Sequence, residues 1–113
     1  MKKTIEIEGK DITFEANAYT PILYYSIFHR DVMREMESLG KNDSDISVIL
    51  SDLAALMAVQ HGKTFKELSE ITRDDIGSFL MELSDPMSII ANAEEITGVW
   101  TDSVKTAVAA KKK

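Results

Sequence analysis

The 113-residue chain contains no cysteine, and this absence excludes several kinds of chemistry. Disulfide bonds, thiolate catalysis and cysteine-based zinc sites all require that side chain. The fold must therefore be held together by a hydrophobic core, and a chain with 44% hydrophobic residues can build one. We expect a single domain, and the missing cysteines agree with a reducing, intracellular setting.

Long apolar runs and positive charge are also scarce. The longest apolar stretches fall far short of the roughly 20 residues that a membrane-spanning helix needs. Met1–Lys3 resembles the start of an export signal, but the alternating stretch Thr4–Glu8 follows it, so we expect no such signal. A formal charge of -6 is the wrong sign for a general nucleic-acid or anionic-membrane binder. These features predict a cytoplasmic protein that binds neither.

The first sixteen residues alternate between apolar and polar side chains, which is the period of a half-buried strand. Gly9 and Lys10 lie between two such runs, and a glycine at the first central position favours a type II′ turn. With this loop, Ile7 pairs with Ile12, and the large apolar side chains share one face. Those side chains are Ile5, Ile7, Ile12 and Phe14. The pattern predicts a hairpin that lies against other structure, because an isolated hairpin is marginally stable.

Helical spacing of apolar residues begins after the hairpin. Thr20 as the cap and Pro21 in the first turn predict a long first helix that ends near Gly40. A polar loop follows, in which Ser44 or Asp45 can cap a second helix. Gly62 is the predicted end of that helix.

Three further helix starts are visible downstream. Two are capping boxes, in which a threonine is followed three residues later by an acidic residue, and the third is a capping aspartate before a proline. They are Thr64 with Glu67, Thr72 with Asp75, and Asp85 with Pro86. Gly98 is predicted to interrupt the last helix, after which the apolar pattern around Trp100 weakens.

The fold class predicted from these patterns is α+β. An N-terminal β-hairpin packs on a mainly α-helical domain of four to five helices, all within one domain over residues 1–113. The hairpin covers residues 1–16, the helical body covers 20–98, and 99–113 is a weakly held C-terminal segment.

The residue types that carry catalysis or bind metals do not form a recognisable group in the sequence. His29 and His61 have no neighbouring histidine or cysteine ligands, and both read as surface or helix-end residues. Asp43 and Asp45 loosely resemble a calcium loop but lack its central glycine and distal glutamate. No glycine-rich phosphate loop or GxSxG motif is present. We therefore predict no catalytic, cofactor or metal site and expect that the protein is not an enzyme.

The remaining candidates for function are interaction surfaces. The hairpin has an open strand edge, and such edges accept a strand from another chain. Aromatic residues cluster around the first helix, and Tyr24, Tyr25 and Phe28 are the predicted partner-binding residues there, together with Trp100. Core packing is the better explanation of each of these rings when it is considered alone.

One ordered string carries a resemblance to a known family. Residues 5–31, IEIEGKDITFEANAYTPILYYSIFHRD, resemble the opening of the tail assembly chaperones of long-tailed bacteriophages and prophages of Gram-positive bacteria. That family begins with a hairpin of the form I-x-I-x-G-K-x-I-T-F-x-A, a T-P helix start and a segment like F-G-R-D. His29 departs from the glycine of the last segment, whereas Phe28, Arg30 and Asp31 match it. The specific similarity covers about the first third of the chain.

The resemblance implies a role in building the phage tail. Proteins of this family coat the tape measure protein in the host cytoplasm, help recruit tail-tube subunits, and are absent from the mature virion. Their genes commonly carry a programmed frameshift that yields a longer product, and the run Lys111–Lys113 is compatible with a slippery run of adenines. Self-association into homo-oligomers or a helical sleeve is the expected mode of coating.

Two other hypotheses remain. The chain could be a small acidic regulatory module, such as an antitoxin or an anti-repressor that mimics nucleic acid, although its charges look dispersed along the sequence. An enzyme would require a pocket that brings His29 or His61 together with distant carboxylates.

Overall fold

The computed structural model describes residues 1–38 and 46–111, with side chains described as far as Asp102. Over these residues the chain forms one antiparallel pair of strands and seven helical segments. The predicted α+β fold is confirmed, although its helices outnumber the predicted four to five. The bounds are β1 Lys2–Ile7, β2 Lys10–Glu15, α1 Thr20–Phe28, α2 Val32–Ser38, α3 Ile46–Gln60, α4 Phe65–Ser69, α5 Arg73–Met81, α6 Ser88–Ala91 and α7 Ala93–Lys111.

β1 and β2 form the predicted hairpin, but the predicted register is wrong by two residues. Ile7 pairs with Lys10 and Ile5 pairs with Ile12, so the turn consists of Glu8 and Gly9. Both turn residues have positive φ, 54° and 77°, as a type I′ turn requires. A shift of two residues leaves every side chain on its original face, because successive side chains alternate. The apolar residues therefore still face the helices, and Ile5, Ile7 and Phe14 are buried there.

The side chain of Glu8 anchors the turn to the helical body. Its carboxylate accepts hydrogen bonds from the backbone N–H groups of Ser84 and Asp85, at 2.9 and 3.0 Å, and from the Ser88 hydroxyl. These bonds, that of Ser88 first, lower the pKa of Glu8 to about 2. They also explain how a non-glycine residue is held at positive φ in this turn.

α1 begins where predicted, but its cap is different. Pro21 lies in the first turn, as predicted, whereas the capping position is Tyr19 and Thr20 is fully buried. The Thr20 hydroxyl is hydrogen-bonded to the side-chain amide of Gln60, and Gln60 Nε2 also donates to the Glu15 carbonyl at 2.8 Å. This buried polar contact joins the hairpin, α1 and α3, because each of its groups finds a partner there.

The single long first helix predicted from the sequence is wrong. α1 ends at Phe28, and His29 adopts a left-handed conformation with φ of 58° while its N–H donates to the Tyr25 carbonyl. Asp31 then starts α2, since its Oδ1 accepts a hydrogen bond from the Met33 N–H at 3.0 Å. The apolar spacing continues across the break, which is why the sequence pattern does not reveal it.

α3 lies at the centre of the core. It packs against both helices of the N-terminal half, the hairpin strand β2, and α5, α6 and α7. Gly62, with φ of 76°, ends it as predicted. The predicted helix end at Gly40 and the predicted caps at Ser44 and Asp45 lie outside the described residues. The buried apolar residues of α3 are Ile49, Leu50, Leu53, Ala54, Ala55, Leu56 and Met57.

Both predicted capping boxes are confirmed. In each, the threonine hydroxyl accepts a hydrogen bond from the backbone N–H of the acidic residue, whose carboxylate accepts one from the threonine N–H. Thr64 and Glu67 start α4, and Thr72 and Asp75 start α5. These local signals determine where α4 and α5 begin after the end of α3.

The last part of the chain differs from prediction in two places. Asp85 accepts a hydrogen bond from the Met87 N–H, but helix α6 begins only at Ser88. The predicted interruption at Gly98 is wrong, because α7 continues through it to Lys111. Val99 and Trp100 are buried, so a weakly held C-terminal segment does not begin before Thr101.

Candidate functional site

The four aromatic residues predicted to bind a partner do not form one surface. Tyr24, Phe28 and Trp100 are 0%, 7% and 5% exposed and belong to the hydrophobic core, whereas Tyr25 is 60% exposed. Burial leaves the first three rings no surface to present to a partner, and the core-packing alternative explains them. Tyr25 is the predicted residue that the structure leaves open to contact.

Tyr24 is buried with its hydroxyl group satisfied. The hydroxyl donates to Glu35 Oε1 at 2.6 Å and accepts a hydrogen bond from Arg30 at 3.0 Å. Burial, reinforced by the bond to Glu35, raises the pKa of Tyr24 above its ordinary value. The guanidinium of Arg30 also lies over the rings of Tyr24 and Phe28, 5.6 and 5.3 Å from their centroids. These contacts make Tyr24 a structural residue.

Arg30 ties three helices together at the break after α1. Besides Tyr24, it forms an ion pair and hydrogen bond with Asp52 of α3, and its Nε lies 3.5 Å from Glu35 Oε1 of α2. Its charged partners, Glu35 and Asp52, belong to different helices, and each is half-buried. This network holds α1, α2 and α3 together around the break between Phe28 and Val32.

An exposed apolar strip runs along the outside of α1. Ile22 and Tyr25 are spaced by three residues and so lie on one face of α1, and the half-buried Tyr19, at the capping position before the helix, continues this spacing. Ile22 is 58% exposed, and the ring of Phe65, 68% exposed, extends the strip through contact with Tyr19 at a centroid distance of 5.4 Å. We call Tyr19, Ile22, Tyr25 and Phe65 the α1 stripe. Ile22 was not among the predicted site residues, although its spacing from Tyr19 and Tyr25 identifies it.

α1 is unusual because it is apolar on both faces. Its inner face is buried through Leu23, Tyr24, Ile27 and Phe28, while its outer face carries the α1 stripe. A helix that is apolar all round is normally covered on all sides. Adjoining large apolar side chains that stay exposed typically mark an interaction site. The α1 stripe is therefore the best candidate for partner contact.

The hairpin provides a second open feature. Within the described residues β1 and β2 pair only with each other, so each has an outer edge without a neighbouring strand. The ladder is extended by reciprocal hydrogen bonds between Met1 and Ala16, and the outward hydroxyls of Thr4 and Thr13 are 2.7 Å apart. These contacts stabilise the pairing of β1 with β2 and leave the outer edge of each strand as it is. Strand addition at this edge stays a prediction.

The histidines lie at the ends of different helices, His29 after α1 and His61 after α3. His29 contacts the edge of the Tyr25 ring at 6.3 Å, and His61 Nδ1 lies 2.9 Å from Glu15 Oε1. No group of three or more residues suited to holding a metal occurs in the described part of the chain. The former calcium-loop candidates, Asp43 and Asp45, lie outside that part.

An open groove of about 630 Å³ is formed by the end of α3, α4 and α5. Its floor is apolar, with Val59, Ile71 and Phe79, and acidic side chains surround it. We call it the acidic groove. His61 and Lys63 also line it, but His61 pairs with Glu15, outside the groove. The acidic side chains are Glu67, Glu70, Asp75 and Glu82.

Comparisons with known proteins add no relative. No protein-family model, curated protein or solved structure matches the chain. Over the residues with described structure, no helix has the length and apolar character needed to cross a membrane.

Proposed function

We propose that this protein is a tail assembly chaperone of a long-tailed bacteriophage or prophage, and that it binds the tape measure protein through the α1 stripe. The observation that carries the proposal is the exposure of Ile22 and Tyr25 on a helix whose other face is buried. That helix belongs to the stretch of sequence that resembles the family. The protein would act in the host cytoplasm and be absent from the mature virion.

The chemistry of the α1 stripe suits a helical partner. The tape measure protein of such phages is long and helical, and its apolar surface needs cover before the tube forms around it. An apolar helix face binds another helix through anchors spaced three or four residues apart. Tyr25 supplies a large ring with an exposed hydroxyl-bearing end, a side chain often found at energetically important contacts.

The backbone at position 29 supports the match to the family pattern. That pattern has glycine where this chain has His29, and His29 is left-handed, with φ of 58°. Glycine adopts this conformation most readily, and it is the usual residue after a helix end. The position thus keeps the backbone shape that the family's glycine favours.

The proposal includes self-association and recruitment of tail-tube subunits. Contacts between copies that do not close into a ring generate a helical sleeve, which is the geometry needed to cover an elongated partner. A net charge of -6 keeps such a sleeve dispersed in solution. A frameshifted longer product would carry the part that recruits tube subunits.

The acidic groove is the observation that favours the alternative, an acidic regulatory module that mimics nucleic acid. Four carboxylates surround it, but Lys63 and His61 line it as well. This alternative leaves the exposed α1 stripe unexplained. We therefore prefer the chaperone role.

Co-expression with the tape measure protein of the same phage genome tests the proposal. We expect the wild-type protein to keep the tape measure in the soluble fraction and to co-purify with it. The double variant Ile22→Ser, Tyr25→Ser should lose both effects while it remains folded. Ser26→Ala, an exposed change on the same helix, is the matched control and should behave like the wild type. Equal solubility with and without the wild-type protein would contradict the proposal.

A further inference from the structure

Charge is distributed unevenly along this chain. Residues 103–113 carry four lysines and no acidic residue, so the first 102 residues hold all nineteen acidic side chains and only nine basic ones. The formal charge of the first part is therefore -10, against +4 for the short last part. Such an asymmetry favours contact between the two parts, within or between copies.

The acidic groove is the surface that complements the basic segment. Its side chains come from α4, α5 and the link between them, and all four carboxylates are exposed. Glu67 and Asp75 complete the capping boxes, whereas the carboxylates of Glu70 and Glu82 form no hydrogen bond or ion pair within the described part of the chain; these two residues are bonded there through their backbone N–H groups alone. Glu70 and Glu82 are thus available to meet positive charge from outside.

The apolar floor of the acidic groove requires that a segment bound there also has apolar side chains. Val59 and Phe79 are half-buried there, beside the largely covered Ile71. A matching segment needs apolar side chains as well as positive charge. In the sequence, Val104 and Val108 alternate with the lysines of this segment, and the backbone of α7 is helical through Lys111. The last part of the chain therefore has both properties.

We propose that the acidic groove binds the lysine-bearing segment 103–113 of a second copy of this chain. A different copy is indicated because α7 is one continuous helix from Ala93, with its course fixed by the buried Val99 and Trp100. The eleven residues from Thr101 to Lys111 advance about 16 Å along that axis, at about 1.5 Å per residue. α7 packs against the hairpin, α3 and α6, whereas the groove is built by α3, α4 and α5.

A contact between a groove on one copy and a tail on the next is heterologous. Repetition of such a contact produces a chain of copies, and a helical one unless the rotation closes it. The inference names the surfaces of the self-association included in the proposed function and rests on that part of it. It does not involve the α1 stripe, which stays open for a different partner.

The test measures the mass of the isolated full chain by light scattering over a range of concentrations, with no tape measure protein present. We expect masses of at least twice the 12.6 kDa of one copy, falling towards 12.6 kDa in 1 M salt, where screening acts within about 3 Å. Reversing the groove in the double variant Glu70→Lys, Glu82→Lys should give a single copy. Reversing Lys111, Lys112 and Lys113 to glutamate should do the same.

Mixing the two reversed variants distinguishes a specific contact from a general charge effect. In the mixture, the groove of each variant can bind the segment 103–113 of the other variant, which carries the opposite charge. The mixture should therefore regain the wild-type mass, although neither variant reaches that mass alone. Glu37→Lys, an exposed change outside the groove, is the control and should leave the mass unchanged. Circular dichroism and thermal unfolding verify that each variant folds.

Several results would overturn the inference. The first is a wild-type protein that has the mass of one copy at every concentration, and the second is a variant Glu70→Lys, Glu82→Lys that keeps the wild-type mass. The third is a loss of mass in Glu37→Lys as large as that in the groove variant, and the fourth is a mixture of reversed variants that does not regain the wild-type mass. Any one of these results contradicts the inference. None of them bears on the solubility of the tape measure protein. Failure here is therefore distinguishable from failure of the chaperone role.

Discussion

The two faces of helix α1 have similar composition and opposite surroundings. The inner face buries Tyr24 and Phe28 beneath Arg30, and the outer face exposes Ile22 and Tyr25. The adjacent residues Tyr24 and Tyr25 therefore have different surroundings: Tyr24 packs in the core, whereas Tyr25 is exposed. The comparison teaches that an aromatic cluster does not by itself mark a binding surface, because neighbouring positions on a helix point to different sides, one into the core and the other away from it.

The largest expected effect is on the inner face. Tyr24→Ala removes a buried ring and leaves Glu35 and Arg30 without its hydroxyl, so the free energy of unfolding should fall by about 3–5 kcal/mol. Tyr24→Phe keeps the ring and should cost about 1–3 kcal/mol. Urea unfolding of both variants provides the measurement. If Tyr24→Ala lowered the free energy of unfolding by less than about 1 kcal/mol, the inner face of α1 would contribute no more to stability than the exposed outer face, which would contradict the comparison.

A smaller effect on stability is expected from Glu8, which anchors the hairpin turn to the helical body. The hairpin and the inner face of α1 pack into the same hydrophobic core. The pKa of Glu8 is about 2 in the folded protein, below its ordinary value of 4.5. Its contribution to stability is therefore present above pH 4.5 and is lost as the pH falls towards 2. Stability should decline more steeply over this range in the wild type than in Glu8→Gln. Identical pH profiles from thermal unfolding would contradict this anchoring role.

A substitution at His29, the residue that follows the C-terminal end of α1, is expected to stabilise the protein. His29→Gly relieves a left-handed non-glycine residue and should raise the free energy of unfolding by up to about 1 kcal/mol. Ser26→Gly, in the interior of α1, is the matched control and should lower it by about 0.5 kcal/mol. A loss of stability in His29→Gly, measured by urea unfolding, would mean that the edge contact with Tyr25 outweighs the backbone strain.

Much of the fold could be predicted because its signals are local. The alternation of Ile5 and Ile7 with polar residues, the α3 pattern and both capping boxes each act over a few residues. The hairpin register could not be fixed in this way, since a shift of two residues preserves the separation of faces. In the observed register Glu8 is a turn residue, and the partners of its carboxylate, Ser84 and Asp85, are 76 and 77 positions away, beyond the reach of a local pattern.

The candidate site was only partly predictable for the same reason. Tyr25 was identified, but its distinction from Tyr24 depends on Arg30 and Asp52, which meet only in the folded chain. The same network breaks the first helix at His29 while the apolar spacing continues unchanged. Long-range polar contacts such as these are invisible to sequence periodicity, although they complete the surroundings of the buried Tyr24.

The smallest expected effect on stability accompanies the largest expected effect on function. Tyr25→Ala removes a ring that is 60% exposed, so the free energy of unfolding should change by no more than about 0.5 kcal/mol. The most direct test of the account is the affinity of this variant for a soluble helical segment of the tape measure protein, measured by titration calorimetry beside the wild type. We expect binding about 10- to 30-fold weaker, as for an aromatic anchor. Unchanged affinity in the folded variant would contradict the claim that the outer face of α1 binds this partner.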